Sequence, residues 1–145
     1  MKVATKVKLR SLMDEDIVDL ARLANNRNVW NNLRDRMPHP YSEVDAKEFI
    51  TITKNEQPRQ NFSIEYEGKF CGVIGFLLQY DVYRGSAEIG YWLGEPFWRK
   101  GIATGAVRLI TEYGFSELNL RRIYASVFAF NKASARVLEK NGYLP

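Results

Sequence analysis

The sequence AEIGYWLGEPFWRKGIATGA, residues Ala87 to Ala106, determines the expected fold of this chain. Its first part, Ala87 to Leu93, is typical of a strand, and an amphipathic helix is predicted to begin at Ile102, after a turn punctuated by glycine. The first amides of a helix lack partners within it, and the helix dipole places partial positive charge beside them. The run therefore predicts an anion site, and the expected anion is a phosphate or pyrophosphate.

The turn itself matches neither of two common phosphate-binding motifs, because GxxxxGK[ST] and GxGxxG are both absent from the chain. What remains is a turn of small residues. Gly101 allows an anion to approach the backbone, and Ala103 and Gly105 leave room for it. The residues support a second interpretation equally: Gly101 only permits a tight turn, and the small side chains pack the helix against the sheet.

Length and composition are those of a single globular domain over residues 1–145, since 46% of the residues are hydrophobic and 26% are charged. The single cysteine, Cys71, excludes an internal disulfide and lies in an apolar run, so we expect a buried strand residue and a reducing compartment. The first ten residues contain no apolar leader, and no stretch approaches the length of a membrane span. A cytoplasmic location is therefore expected.

The formal net charge of +4 suits a polyanionic cofactor, and it also suits nucleic acid. The basic residues are spread along the chain, however, and one cysteine with one histidine provides no zinc-finger ligand set. We therefore expect no nucleic-acid partner and no metal. His39 lies between two prolines and is predicted to be a surface loop residue rather than a catalytic one.

Apolar periodicity predicts a strand, two helices, three strands, a helix, a strand and a final helix, in that order. The strands are expected over Val7–Leu12, Asn61–Tyr66, Lys69–Tyr80, Ala87–Leu93 and Arg122–Phe128. The helices are expected after the caps Asp14 and Ser42, over Ile102–Leu118, and from the cap Asn131 to Asn141-Gly142. Residues 25–41 are expected to form a loop, and a short helix within it is the alternative left open. This order indicates an α/β or α+β fold with a mixed sheet.

Three segments of the chain resemble, in the same order, the GNAT N-acetyltransferase superfamily. FWRKGIATGAV is similar to the acyl-CoA loop of that superfamily. AEIGYWL before it and FNKASARVLEKNGY after it resemble the branch that contains the ribosomal-protein-alanine N-acetyltransferases. DRMPHPYSEVDAKEFI is also similar to that branch, so the resemblance covers nearly the whole chain. It implies a central mixed, mostly antiparallel sheet flanked by helices.

The chain departs from the superfamily pattern at three places. Trp98 stands where most acyl-CoA loops begin with Gln or Arg, as is usual in this branch. Leu138 stands where many members carry a tyrosine that acts as general acid. The sequence ends at Pro145, before two further strands that members normally have. We therefore expect a chain truncated at its C-terminus, with those strands missing and a sheet edge uncovered.

The resemblance implies attack of a primary amine on the thioester of acetyl-CoA, with a protein N-terminus or a small amine as acceptor. It places the pyrophosphate on loop amides and the pantetheine beside the preceding strand, where a backbone amide near Trp92 or Leu93 stabilises the oxyanion. The implied cofactor-binding residues are Tyr91, Trp92, Leu93, Arg99, Lys100, Gly101, Ile102, Ala103, Thr104 and Asn131. Asn131 can also serve as a helix N-cap.

Glu88 is the candidate general base. In a strand it shares a face with Gly90 and Trp92, and a carboxylate in an otherwise apolar strand carries a desolvation cost that calls for a reason. An exposed strand position or an ion pair is the alternative interpretation of this carboxylate.

Ser134 is the candidate acid, because Leu138 cannot donate a proton and Ser134 lies three residues past Asn131, in the first turn of the last predicted helix, where the dipole favours a developing thiolate. The alternative is a serine that serves only that helix. Tyr124 and Tyr143 are the remaining candidate donors.

The acceptor is expected, by analogy with the family, to contact Trp30, Arg34 and Tyr41, with Asp35 and Arg36 nearby. Two other classes of function stay open. One is a GNAT-like module that senses acyl-CoA without transferring an acyl group, and the other is a small nucleotide-binding protein. A homodimer is also expected.

Overall fold

The computed structural model describes residues 6–26, 41–78, 85–98, 100–125 and 132–143, with the side chains of 132–135 outside the description. The strands are β1 (Val7–Arg10), β2 (Asn61–Tyr66), β3 (Lys69–Leu78), β4 (Ser86–Leu93) and β5 (Arg122–Ala125). The helices are α1 (Ile17–Ala24), α2 (Glu43–Lys54), α3 (Ile102–Ser116) and α4 (Lys132–Lys140). Two 3₁₀ turns, Asp14–Asp16 and Glu95–Phe97, precede α1 and follow β4. The predicted order of elements is confirmed.

The strands form one sheet in the order β1-β2-β3-β4-β5. The first three pairs are antiparallel and β4 pairs with β5 in parallel. A parallel pair needs a crossover connection, which α3 provides. The predicted mixed, mostly antiparallel sheet is therefore confirmed. β3 is its middle strand, and residues 70–76 of β3 are buried.

Both faces of the sheet are covered, which explains why β3 is apolar on both sides. One core lies between the sheet and helices α3 and α4, and it contains Ile64, Cys71, Ile74, Ile89, Leu93, Ile102, Ala106, Ile110 and Leu138. The other lies between the sheet and helices α1 and α2, and it contains Leu20, Leu23, Tyr41, Ala46, Ile50, Phe70 and Val73. Cys71 is buried, as predicted, at a shift in the β2–β3 register.

The prediction that Asp14 caps the first helix is wrong. Asp14 begins the 3₁₀ turn instead, and its exposed carboxylate pairs with Lys54 at 2.6 Å. Asp16, two residues later and only 3% exposed, accepts from the Met13 N–H and from both terminal nitrogens of Arg10. The Ser63 hydroxyl donates to it as well, so four donors compensate the desolvation of this buried carboxylate at the entry to α1, whereas Asp14 remains in solvent. The pKa of Asp16 is held below its usual value by the hydrogen bonds to Arg10 and Met13, although burial opposes them.

Two other helix ends are as predicted. Ser42 and Asp45 form a reciprocal capping box at the start of α2. At the end of α4, Gly142 has φ +85°, its N–H donates to Glu139 and the Tyr143 N–H donates to Leu138. This is the Schellman arrangement that a glycine in the left-handed region allows.

Several predicted boundaries fall outside the description. The expected strands ending at Tyr80 and Phe128 are described only as far as Leu78 and Ala125, and most of the expected loop over residues 25–41 is not described. α3 ends at Ser116, two residues earlier than expected. In the described parts of the chain, no helix is both long and apolar enough to span a membrane.

Candidate functional site

The turn before α3 has the geometry of an anion site. Gly101 has φ +76°, a left-handed conformation that a side chain would strain, so the tight turn itself requires this glycine. The first helical hydrogen bond runs from the Gly105 N–H to the Gly101 carbonyl. The amides of Ile102, Ala103 and Thr104 therefore precede the helical ladder and lie at the positive end of a fifteen-residue helix.

Of the two interpretations of Gly105, the structure supports helix packing. Gly105 is buried, and a Cβ there would lie 3.2 Å from a methyl group of Val7 on β1. Ala103 is half-buried against the same core. Both proposed uses of small residues thus occur in this segment. Gly101 permits the turn, and Gly105 lets α3 approach the sheet.

Trp98 connects this turn to the strand before it. Its indole N–H donates to the Leu93 carbonyl at 2.8 Å, where β4 ends. Lys100 follows as an exposed cation, whereas Arg99 lies outside the described residues. The departure from Gln or Arg at this loop position therefore has a structural role, since the indole fastens the start of the loop to the strand.

β4 continues past the described part of its pairing with β5. Within the described residues, the parallel register runs from Ser86↔Arg122 to Ile89↔Ala125. β4 continues to Leu93, and its other edge stays paired with β3 as far as Gly72↔Leu93. The edge of β4 from residue 90 to 93 thus leads from the end of the described parallel register to the turn before α3. An extended chain lying there can add to the sheet as a strand does.

The face of β4 that is turned away from α3 borders an open groove of about 770 Å³. Glu88, Gly90 and Trp92 all contribute to it, as their predicted shared face requires. Ile89, between them, also borders the groove, but its side chain is buried in the core beneath α3. Glu88 is half-buried in this wall. The candidate base therefore lies where the groove meets β4.

The groove is acidic, although the chain as a whole is basic. Four carboxylates contribute to its lining, namely Asp45, Glu48, Glu56 and Glu88, and the described lining residues include no Lys, Arg or His. The whole chain carries a formal net charge of +4. Charges of one sign gathered in a cleft attract ions of the opposite sign, so this groove favours a cation.

The four carboxylates differ in what they already bind. Asp45 accepts from the Ser42 N–H and hydroxyl, and Glu56 accepts from the backbone of residues 60 and 61 and from the Asn61 side chain. These two carboxylates hold the wall in place. Glu48, also on α2, has an exposed side chain. It is the carboxylate of this helix that a ligand reaches most directly.

Tyr41, predicted to contact the acceptor, does contribute to the groove lining, but it is only 7% exposed. Its N–H donates to the Asn25 side chain at 2.9 Å. Burial, with the negative charge of Asp45, raises the pKa of its phenol to about 12. Tyr41 therefore stays neutral and forms a wall. Trp30 and Arg34, like Asp35, Arg36 and His39, lie outside the described residues.

The candidate proton donors differ in their surroundings. Leu138 is buried in the core, 6% exposed. The Tyr143 hydroxyl shares a hydrogen bond of 2.8 Å with Thr111 on α3, and burial raises the pKa of that phenol. Asn131 is outside the described residues, and so is the side chain of Ser134. Tyr124 lies on β5 directly beside Glu88 in the register.

Sequence reasoning missed the acidic wall that α2 provides. A sequence signal existed: residues 45, 48, 52 and 56 are spaced so that they recur on one stripe of a helix, beside the buried stripe of Ala46 and Ile50. Three of those four positions are acidic. In the described parts of the chain, no group of His, Cys, Asp and Glu is arranged to hold a metal ion.

Comparison with known proteins agrees with this geometry. Residues 6–144 match the family described as Acetyltransferase (GNAT) domain. The chain is 30% identical over 144 residues to spermidine N(1)-acetyltransferase of Escherichia coli (strain K12), which covers 99% of this chain and 75% of that protein. It is 40% identical over 79 residues to the putative ribosomal N-acetyltransferase YdaF of Bacillus subtilis (strain 168), covering 54% of this chain and 43% of that protein.

A solved structure extends the comparison to the fold. The Microcin C7 self immunity acetyltransferase MccE, in complex with acetyl-CoA and AMP, matches with a TM-score of 0.76 at 28% identity. The match covers 98% of this chain and 81% of that one. It therefore includes the sheet, the turn before α3 and the helices that border the groove.

Proposed function

The chain belongs to the GNAT acetyltransferase family and is an acetyl-CoA-dependent N-acetyltransferase, and we propose that its acceptor is a primary amine on a small cation with at least one further positive charge. The observation that carries this proposal is the acidic groove. Its four carboxylates border the face of β4 that holds Glu88. A single ammonium needs one partner, so the remaining carboxylates favour a molecule with a second cationic group.

The turn before α3 fits the pyrophosphate of acetyl-CoA. The left-handed Gly101 removes the obstruction of a side chain, and the amides of Ile102, Ala103 and Thr104 point from the helix N-terminus. Lys100 adds an exposed positive charge, and Arg99 and Asn131 stay predicted contacts. The edge of β4 from Tyr91 to Leu93 is the proposed position of the pantetheine. Acetyl-CoA supplies the activated thioester when bound.

In the proposed mechanism, Glu88 accepts the proton that the acceptor ammonium must lose before its nitrogen can attack. Its place in the lining of the acidic groove, on β4, supports this role. Backbone N–H groups near Trp92 and Leu93 are the predicted donors to the oxyanion. Ser134 stays a predicted proton donor.

The similarity to spermidine N(1)-acetyltransferase extends over 99% of this chain and supports a polyamine such as spermidine as acceptor. The similarity to the putative ribosomal N-acetyltransferase covers 54% of it, and this supports a protein N-terminus as the second candidate. A polyamine has charges along its length, whereas an N-terminus presents one. The acidic lining therefore favours the polyamine. The predicted homodimer and cytoplasmic location stay predictions.

The test is release of free thiol from acetyl-CoA with a panel of acceptors: spermidine, 1-aminobutane and a short peptide with an N-terminal alanine. We expect kcat/KM for spermidine to exceed that for 1-aminobutane about tenfold, because one additional ion pair of about 1.4 kcal/mol corresponds to that factor. The preference should shrink as salt is added. Equal rates for spermidine and 1-aminobutane would contradict the proposed acceptor. Tight binding of acetyl-CoA without thiol release from any acceptor would favour a sensing module.

A further inference from the structure

Two aliphatic side chains are exposed within the acidic groove. Ile52 on α2 is 65% exposed and Leu77 on β3 is 62% exposed, and both contribute to the groove lining. Single exposed aliphatic residues are ordinary on a protein surface. These two share one cleft, however, and among the described residues that line it every charged side chain is acidic. A ligand that combines positive charges with an apolar segment matches both parts of this lining.

Carboxylates flank Ile52 along the wall that α2 provides. Glu48 precedes it by four residues and Glu56 follows it by four, a spacing that places side chains on one side of a helix. The turn continues past the end of α2, because the Glu56 N–H donates to the Thr53 carbonyl. At about 1.5 Å of rise per residue, each acidic residue lies roughly 6 Å from Ile52 along this wall. The wall thus presents a carboxylate, an aliphatic side chain and a second carboxylate in turn.

Leu77 lies beside the proposed base on the sheet that forms the groove floor. In the antiparallel register of β3 and β4, Leu77 is opposite Glu88. Residues paired in this way project from the same face, with Cβ atoms roughly 4.5–5.5 Å apart. The next pair on that face is Gly75 and Gly90, which bring no side chain to the floor. An aliphatic surface therefore borders the carboxylate that is proposed to take the acceptor's proton.

We propose that Ile52 and Leu77 determine acceptor specificity by contacting the methylene groups between two amines of the acceptor, an inference that rests on the proposed function. The amines pair with the carboxylates that flank these side chains, and the methylene run between the amines lies against the aliphatic surface. Each methylene group that leaves water in this contact raises kcat/KM about fourfold. The groove therefore distinguishes acceptors of equal charge and length by the polarity of the segment between their nitrogens, which attraction between charges does not do.

The test uses two acceptors of matched length, 1,5-diaminopentane and bis(2-aminoethyl) ether, in which an oxygen replaces the central methylene group. Both are dications at pH 7. Thiol release from acetyl-CoA gives kcat/KM for each, and we expect the wild type to prefer 1,5-diaminopentane at least about fourfold. Ile52→Thr and Leu77→Thr should each reduce this preference to less than about twofold, because each removes part of the aliphatic surface. Threonine keeps the β-branch of Ile52, so the helix propensity changes little.

The matched control is Val44→Thr, because Val44 lies on the same helix and is also 65% exposed but does not line the groove. This variant should keep the wild-type preference, and all three variants should keep the wild-type Kd for acetyl-CoA. Equal rates with the two acceptors in the wild type overturn the inference alone, and so does a wild-type preference that persists in Ile52→Thr and Leu77→Thr. Turnover of the alanine peptide without turnover of spermidine or either diamine overturns the proposed function, and the inference with it.

Discussion

The turn before α3 and the groove beside β4 belong to one site, but the chain encodes them in opposite ways. The turn uses the backbone of consecutive residues, and its one strict requirement is a glycine at φ +76°. The groove uses carboxylates from three places: α2 itself, Glu56 just after the C-terminal cap of α2, and β4. A backbone site tolerates changes of side chain, whereas a side-chain site loses one contact with each change.

The two regions also differ in the charge they select. The turn offers amides and a helix dipole to an anion, and the groove offers carboxylates to a cation. The two meet along β4, whose residues 88, 90 and 92 face the groove while its edge leads to the turn. β4 therefore brings the anionic acetyl-CoA and the cationic acceptor together, while each ligand keeps its own binding site.

The largest expected effect comes from Glu88→Gln, which removes the base and leaves the turn unchanged. We expect kcat to fall at least about 100-fold, because a general base contributes on the order of 10²–10⁴. The Kd for acetyl-CoA should stay within twofold of wild type. Thiol release and calorimetry measure the two quantities. Loss of cofactor affinity together with turnover would break the proposed division between turn and groove.

A smaller effect is expected from Gly101→Ala, which places a side chain in the left-handed turn at a cost of about 1–2 kcal/mol. Acetyl-CoA affinity should fall about tenfold, because the turn relaxes away from the conformation that aims its amides at the anion. Gly68→Ala is the matched control, since Gly68 has φ +79° with open space around it. It should cost similar stability and leave affinity intact. Equal losses of affinity in both variants would contradict the anion site.

The smallest effect is expected from Glu48→Gln, which removes an exposed carboxylate of the groove. KM for spermidine should rise about two- to fivefold, as for loss of a solvent-exposed ion pair, and the KM for acetyl-CoA should not change. Glu43→Gln, on the same helix but outside the groove lining, is the control. Initial rates at low and high salt measure both. A change that persists at high salt would show that the long-range charge of the groove is not its cause.

The same contrast explains how much of the molecule could be predicted from its sequence. The order of elements follows from local periodicity, and the turn from six consecutive residues, so both were accessible. Asp14 was misassigned and the use of Gly105 stayed open, in both cases for a tertiary reason. Pairing of the part-buried Arg10 with the buried Asp16 favours Asp16 over Asp14 at the entry to α1, and contact with Val7 explains Gly105.

The acidic groove could not be derived in the same way. Asp45 and Glu48 are ordinary helix-surface residues until α2 packs beside β4, and only then do they border the same space as Glu88. Tyr124 is similar, because only the parallel register shows that it opposes Glu88. Relations of this kind depend on pairing between distant segments, which composition and spacing do not specify.

The most direct test of the account is a crystal structure of the protein with CoA and spermidine bound together. The account predicts the pyrophosphate on the amides of Ile102 to Thr104, the pantetheine along β4 from Leu93 toward Gly90, and a spermidine nitrogen within hydrogen-bond reach of Glu88. The rest of the polyamine should lie in the acidic groove. CoA bound away from this turn, or spermidine bound outside the groove with its nitrogen remote from Glu88, would contradict it.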